Sequence, residues 1–107
     1  MSDARQRIEE LVKGHRVVLF MKGTPEFPQC GFSAQTSAAL RALNAEYRHV
    51  NIFEEPELRE ALKAYSNWPT YPQLYVKGEL VGGCDIVIEM YRSGELKTLL
   101  QEAGAIH

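Results

Sequence analysis

Short apolar runs alternate along this chain with stretches in which apolar residues recur every three or four positions. The five apolar residues 17–21 are typical of a strand that is buried on both faces. Residues 36–43 carry a mostly apolar i, i+3, i+4, i+7 pattern, which predicts a helix, and residues 47–53 predict a second strand. A strand, a helix and a strand in this order predict a parallel pair with a right-handed crossover.

The remaining segments add helices and a hairpin to this unit. Helical patterns occupy four further stretches, residues 3–14, 56–65, 85–91 and 96–103. Two short apolar runs flank Lys77-Gly78, which predicts a hairpin turn. The order of elements therefore predicts an α/β protein with a thioredoxin-like fold, in which a four-stranded mixed sheet is flanked by helices.

Composition limits the classes of function without naming one. The chain has 107 residues, a 45% hydrophobic fraction and a net charge of −2, so we expect one domain and no general attraction to nucleic acid or membranes. Its first residues contain no apolar stretch, and no apolar run approaches the roughly 20 residues of a membrane-spanning helix. The two cysteines do not form a disulfide framework, so we expect a cytoplasmic location.

The strongest candidate for chemistry is Cys30, in the run Cys30-Gly31-Phe32-Ser33 just before the second helix. The positive end of a helix stabilises a thiolate, and the cation of Lys22 could lie nearby. Glycine and prolines around Cys30 favour an exposed thiol over an inert buried one. A two-thiol redox site would carry cysteine at position 33, so this single thiol needs an outside partner.

Two other segments have features of a binding site. A cis bond before Pro72 would leave the backbone groups of Tyr71 free to pair with an extended peptide, although a trans bond is equally compatible with the sequence. In Gly82-Gly83-Cys84-Asp85, the glycines would let a ligand approach a helix start, whose N–H groups can bind a carboxylate. Asp85 could cap this helix or receive a ligand ammonium group.

A small basic stripe lies on the third predicted helix. Arg59 and Lys63 are one turn apart, opposite the apolar face of that helix. Such pairs usually belong to a solvated face, here with Glu55 and Glu60 as partners. From these residues alone we favour that interpretation.

Together these motifs resemble one family. Cys30-Gly31-Phe32-Ser33 matches the CGFS site of the monothiol glutaredoxins, and Lys22, residues 68–72 and residues 82–85 fit the same family in the same order. The resemblance covers nearly the whole chain and indicates a single glutaredoxin domain over residues 1–107, of the bacterial single-domain type.

The resemblance implies a glutathione site and a cis Pro72. Cys30 would face the glutathione sulfur. The other implied ligand-binding residues are Lys22 and Arg59 for the glycine carboxylate, Tyr71 for the cysteinyl backbone, and Cys84 and Asp85 for the γ-glutamyl end. Lys63 receives no role. The family accepts cysteine or serine at position 84, so the Cys84 side chain is not expected to be an essential ligand.

The resemblance also implies a function, and the number of thiolates agrees with it. A [2Fe–2S] cluster needs four of them, and one chain cannot supply four through Cys30. The family arrangement is a homodimer in which two Cys30 thiolates and two glutathiones bind a bridging [2Fe–2S] cluster. The resemblance implies cluster transfer to apo iron–sulfur acceptor proteins and iron homeostasis, with a BolA-like partner. The alternatives are a weak glutathione-dependent thiol–disulfide oxidoreductase and a metal-free adaptor.

Overall fold

The computed structural model describes residues 3–106, which form a mixed sheet with helices on both faces. The elements in chain order are α1 (Asp3–Gly14), β1 (Val17–Met21), α2 (Gly31–Ala42), β2 (Arg48–Asn51), α3 (Pro56–Ser66), β3 (Gln73–Val76), β4 (Glu79–Gly82), α4 (Cys84–Ser93) and α5 (Glu95–Glu102). The strand order is β2-β1-β3-β4. β1 pairs parallel with β2 and antiparallel with β3, while β3 pairs antiparallel with β4. The predicted four-stranded mixed sheet is confirmed.

The core lies on both faces of the central strand β1. Alternate side chains of β1 belong to two separate apolar clusters, since Val17, Leu19 and Met21 pack with α2, α4 and α5, whereas Val18 and Phe20 pack with α1 and α3. All five are at most 1% exposed. A strand covered on both sides reads as an unbroken apolar run, which is why residues 17–21 were recognisable in the sequence.

The second strand is shorter than predicted. The sequence predicts residues 47–53, but β2 covers only Arg48–Asn51. The Asn51 side-chain oxygen accepts the N–H of Phe53, and the Asn51 carbonyl accepts the N–H of Glu54. These local bonds turn the chain away from the sheet after Ile52, which is fully buried and whose N–H still donates to the carbonyl of Met21.

The start of α4 also differs from the prediction. Asp85 was expected as a possible helix cap, but the N-cap is Gly83, which is extended at φ −95° and ψ −164°, and Cys84 is the first helical residue. Asp85 therefore lies inside the first turn, and its side chain is exposed. There its negative charge can interact favourably with the positive end of the helix dipole, but Asp85 does not occupy the capping position.

Several other predicted boundaries agree with the structure, although α2 begins earlier than the predicted residues 36–43. Pro56 begins α3, and Gly94, in the left-handed region, separates α4 from α5. Lys77 and Gly78 both have positive φ, as a two-residue hairpin turn between β3 and β4 requires. Within residues 3–106, no helix combines the length and the apolar character that crossing a membrane needs.

Candidate functional site

An open cleft of about 470 Å³ lies where the end of β1 meets the starts of α2 and α4. It is lined by five residues that the sequence singled out, namely Lys22, Arg59, Tyr71, Cys84 and Asp85. These come from the residue after β1, from α3, from the loop before β3 and from α4, and are up to 63 positions apart in the chain. The structure also places Lys63, Trp68, Phe32, Thr70 and Ile86 on the lining.

Cys30 stands beside this cleft at the N-cap of α2. Its backbone is extended, and the residue is partly exposed. Hydrogen bonding from the backbone of Ser33 is the main cause that lowers the pKa of Cys30; partial burial opposes this, and the Phe32 backbone, the Lys22 charge and the Ser33 hydroxyl support it. The lowered pKa favours the thiolate form of Cys30, which distinguishes it from an inert buried cysteine.

Ser33 occupies the place of the second cysteine of a two-thiol site. It is fully buried, and its hydroxyl oxygen accepts the backbone N–H of Lys22 at 3.1 Å. This bond ties the end of β1 to the first turn of α2. The serine is thus a structural contact between the two elements that carry Cys30 and Lys22.

The loop between Lys22 and Cys30 is itself ordered by hydrogen bonds. Gly23 bridges to Pro28, and the N–H of Gln29 donates to the carbonyl of Lys22 at 2.9 Å. Gly23 has φ +88°, and a Cβ there would lie 2.5 Å from the carbonyl oxygen of Phe27. A glycine is required here because any side chain would clash with the loop backbone and force open the loop that leads to Cys30.

Arg59 does not belong to a solvated face with glutamate partners. Glu55 binds Arg7 instead, at 2.7 Å, and Glu60 pairs with Lys63 at 3.6 Å. The Arg59 guanidinium lies over the Phe53 ring, and its Nε is buried without a hydrogen-bond partner among residues 3–106. Because this donor has no carboxylate partner in the described chain, Arg59 is available to an anionic ligand.

The loop before β3 supplies a second set of free groups. The Tyr71–Pro72 bond is cis, and neither the N–H nor the carbonyl of Tyr71 forms a hydrogen bond with residues 3–106. The Tyr71 hydroxyl donates to the carbonyl of Arg59, which joins this loop to α3. Burial raises the pKa of Tyr71 to about 12. The Tyr71 backbone can therefore pair with an extended ligand, as the resemblance implied.

Gln73 holds this loop in place, and the sequence interpretation missed it. Its side chain is fully buried, and Nε2 donates to the carbonyls of Trp68 at 3.1 Å and Thr70 at 3.3 Å. Its Oε1 accepts from the Tyr75 hydroxyl. The available signal was a lone amide in an otherwise apolar strand, since a buried amide must find partners.

Trp68 and Gly83 meet at the back of the cleft. The indole Nε1 is buried and has no partner among the described residues. A Cβ at Gly83 would lie 3.2 Å from this nitrogen, so glycine allows the indole to pack on the start of α4. Two unpartnered buried donors, Arg59 Nε and Trp68 Nε1, thus lie at one cleft, and such groups usually require a ligand or water.

The start of α4 forms the other side of the cleft. Cys84 is buried, and its Sγ lies 3.7 Å from Oε1 of Gln35 on α2. Asp85 adds an exposed carboxylate beside the free N–H groups of the first helical turn. This arrangement suits a ligand group that carries both a carboxylate and an ammonium.

Different parts of the cleft lining therefore offer different chemical groups. Lys22 and Arg59 supply cations, the Tyr71 backbone supplies strand-like hydrogen bonds, and α4 supplies N–H groups with a carboxylate. Within residues 3–106, no three His, Cys, Asp or Glu side chains are grouped so that they could hold a metal ion. The cleft fits a short extended peptide with charged ends, placed next to a thiol of lowered pKa.

Comparison with known proteins gives the same family from independent directions. The family model described as glutaredoxin matches residues 17–81. The chain is 57% identical over 94 residues to the probable monothiol glutaredoxin 2 of Rickettsia felis, covering 88% of this chain and 90% of that protein. It is 50% identical over 105 residues to glutaredoxin 4 of Escherichia coli, covering 98% and 91% of the two chains.

A solved structure extends the comparison to the fold. The structure of a buckwheat glutaredoxin–glutathione complex matches with a TM-score of 0.87 at 30% identity, covering 97% of this chain and 93% of that one. The Cys30-Gly31-Phe32-Ser33 run carries one thiol, in agreement with the monothiol name of the Rickettsia felis relative. This chain therefore belongs to the glutaredoxin family, as a monothiol glutaredoxin.

Proposed function

We propose that this protein binds glutathione in the cleft beside Cys30 and carries a [2Fe–2S] cluster between two copies of the chain. The observation that carries the proposal is the meeting of free cations, free strand-like backbone and a free helix start in one cleft next to a thiol of lowered pKa. A related buckwheat glutaredoxin was solved with glutathione, which supports the choice of ligand.

Each end of the tripeptide has a chemical counterpart. Lys22 and Arg59 would bind the glycine carboxylate, since a charge-assisted bond to guanidinium is among the stronger hydrogen bonds available. Tyr71 would pair its backbone with the cysteinyl residue. The N–H groups at Cys84 and the carboxylate of Asp85 would hold the γ-glutamyl carboxylate and ammonium. This orientation would place the glutathione sulfur beside Cys30.

The cluster is cargo, and the thiolate count explains the dimer. Four thiolates are needed, and two copies of Cys30 with two glutathiones supply them. A cargo held partly by a dissociable peptide can be passed on when glutathione leaves. The proposed partners are a second copy of the chain, a BolA-like protein and apo iron–sulfur acceptor proteins. The proposed cellular role is cluster delivery and iron homeostasis in the cytoplasm.

Anaerobic reconstitution tests the proposal directly. The purified protein is incubated with iron, sulfide and glutathione, and is then examined by absorption spectroscopy and sedimentation. We expect a brown dimer with two glutathiones per cluster, and a monomer when cluster and glutathione are absent. A colourless product, or a dimer that is equally stable without metal, would contradict the proposal.

A second candidate activity is favoured by the partial exposure and lowered pKa of Cys30. Its thiolate could attack the glutathione sulfur of a protein–glutathione mixed disulfide, forming a Cys30–glutathione disulfide and releasing the protein thiolate. The thiolate of a second glutathione would then attack that disulfide, yielding oxidised glutathione and free Cys30. Turnover of a glutathionylated protein under excess glutathione measures this activity without iron.

A further inference from the structure

Two residues outside the cleft lining lie close to the cations that face it. We infer that Phe53 and Asn51 are positioning residues for the carboxylate-binding pair Lys22 and Arg59. They set where the guanidinium lies and how the end of β1 is placed relative to it. The inference rests on the proposed binding of glutathione, because it assigns a role in recognising one end of that ligand.

Phe53 is a large apolar residue that lies outside both apolar clusters of the core. Its side chain is 48% exposed, yet the Arg59 guanidinium carbon lies 5.7 Å from the centre of its ring. A cation at this distance from an aromatic face is attracted by the ring quadrupole. Since Arg59 has no carboxylate partner within residues 3–106, the ring restrains the side chain without neutralising its charge. The restraint reduces the conformational entropy that Arg59 loses when a ligand binds.

Asn51 connects this ring to the other cation. Its Oδ1 accepts two backbone N–H groups, from Gly23 and from Phe53, each at 3.0 Å. Gly23 directly follows Lys22, so one amide oxygen joins the backbone beside Lys22 to the backbone that carries the ring under Arg59. The Asn51 Nδ2 donates to Glu54 at 3.2 Å, which fixes the orientation of the amide. The two cations therefore share one support at the end of β2.

This support makes a prediction that a general structural role would not make. Loss of Phe53 or Asn51 should weaken only the recognition of the glycine carboxylate. Binding of a glutathione analogue in which that carboxylate is an amide should be unaffected, because its glycine end carries no negative charge for Lys22 and Arg59. The comparison of these two ligands therefore separates positioning of the cations from a loss of fold.

The first experiment compares Phe53→Leu, which removes the aromatic face, with Phe53→Tyr, which keeps it. Trp68 is the only tryptophan and lines the cleft, so its indole N–H gives a single NMR signal that reports binding to the metal-free protein. We expect Phe53→Leu to weaken glutathione binding about two- to fivefold, the range of an exposed cation–π contact. Phe53→Tyr should bind like the parent, and both variants should bind the amide analogue like the parent.

The second experiment uses Asn51→Ala. It adds Tyr91→Leu as the control that matches Phe53→Leu, because both replace an exposed aromatic ring by leucine. Tyr91 is another exposed aromatic residue, 40% accessible, which does not line the cleft. We expect Asn51→Ala to weaken glutathione at least as much as Phe53→Leu, and Tyr91→Leu to change neither ligand. An unchanged glutathione affinity in Phe53→Leu, or an equal loss for both ligands, overturns the inference. If the parent itself fails to bind glutathione, the proposed function fails and the inference falls with it.

Discussion

The two cysteines of this protein both lie at helix starts that face each other across one cleft, yet their surroundings differ. Cys30 is partly exposed at the N-cap of α2, and hydrogen bonds from the first turn lower its pKa. Cys84 is buried as the first residue of α4, with its sulfur against Gln35 of the neighbouring helix. The two thiols therefore share a position at a helix start but differ in access to solvent, which favours Cys30 for chemistry.

The same contrast extends to the ligand-binding groups beside each cysteine. The Cys30 side carries the cations Lys22 and Arg59, whereas the Cys84 side carries Asp85 and backbone N–H groups. On the proposed function, Cys30 supplies the sulfur and Cys84 supplies only backbone. A substitution on the Cys30 side of the cleft can therefore be compared with one on the Cys84 side.

Serine at each cysteine position should give the largest difference. We expect Cys30→Ser to abolish cluster binding, because no other group at the helix start can supply a thiolate. Cys84→Ser should keep most of the cluster, because its backbone N–H remains and a hydroxyl can still donate to Gln35. Absorbance after anaerobic reconstitution measures both, and circular dichroism checks the fold. A bleached Cys84→Ser beside a brown Cys30→Ser would mean that the ligand is wrongly assigned.

Removing a charge from either side should weaken retention of the cluster without abolishing it. Arg59→Ala loses a charge-assisted bond worth roughly 1.5–3 kcal/mol, towards the low end because the site is open, which corresponds to about tenfold in affinity. Cluster loss on a desalting column, followed at several glutathione concentrations, gives the effect. Added glutathione should rescue Arg59→Ala by mass action, but should not rescue Cys30→Ser.

Asp85→Ala tests the Cys84 side in the same assay. It should also weaken retention, and because Gly83 rather than Asp85 is the cap, the free energy of unfolding should change by less than about 1 kcal/mol. A large loss of stability would show that Asp85 supports the helix after all. Retention equal to that of the parent at low glutathione would remove Asp85 from the ligand site.

The titration of Cys30 gives a smaller effect. Because the Ser33 backbone is the leading cause of its lowered pKa, and the Lys22 charge a lesser one, Lys22→Met should raise this pKa only part of the way towards that of a free thiol. The rate of alkylation against pH shows the shift, with Cys84→Ser as the background so that one thiol reports. A pKa fully restored to the ordinary thiol value would make Lys22 the dominant cause instead.

The titration of Tyr71 should give the smallest effect, and its pKa is raised, whereas the pKa of Cys30 is lowered. Burial raises its folded pKa from 10 to about 12, so the neutral form stabilises the fold below pH 10, and this stabilisation is lost as pH rises towards 12. Tyr75 shifts in the same direction. Tyr71→Phe should cost about 0.5–1.5 kcal/mol at pH 8, through the lost bond to Arg59, and should reduce the alkaline decline. Urea unfolding at several pH values measures both, and an unchanged decline would contradict the assignment to Tyr71.

The sequence predicted those features that depend on local pattern or on the family motif. The buried run 17–21, the hairpin turn and the break at Gly94 follow from local chemistry, and the motif order predicted which residues share the cleft. The predictions that were wrong involve a hydrogen bond or an ion pair that the sequence pattern does not show. Asn51 ended β2 early, and Glu55 bound Arg7 on another helix rather than Arg59. The roles of Gln73 and Phe53 depend on neighbours that only the folded chain brings together.

The hydrogen bond from Lys22 N–H to Ser33 has a consequence for how such a protein could change during evolution. The buried hydroxyl is a joint between a strand and a helix, so the second position of the motif is already in structural use. A cysteine there would replace a strong acceptor by a weak one in a space packed for oxygen. A second reactive thiol at position 33 therefore needs more than one substitution, because neighbouring residues must adapt before the new sulfur can react.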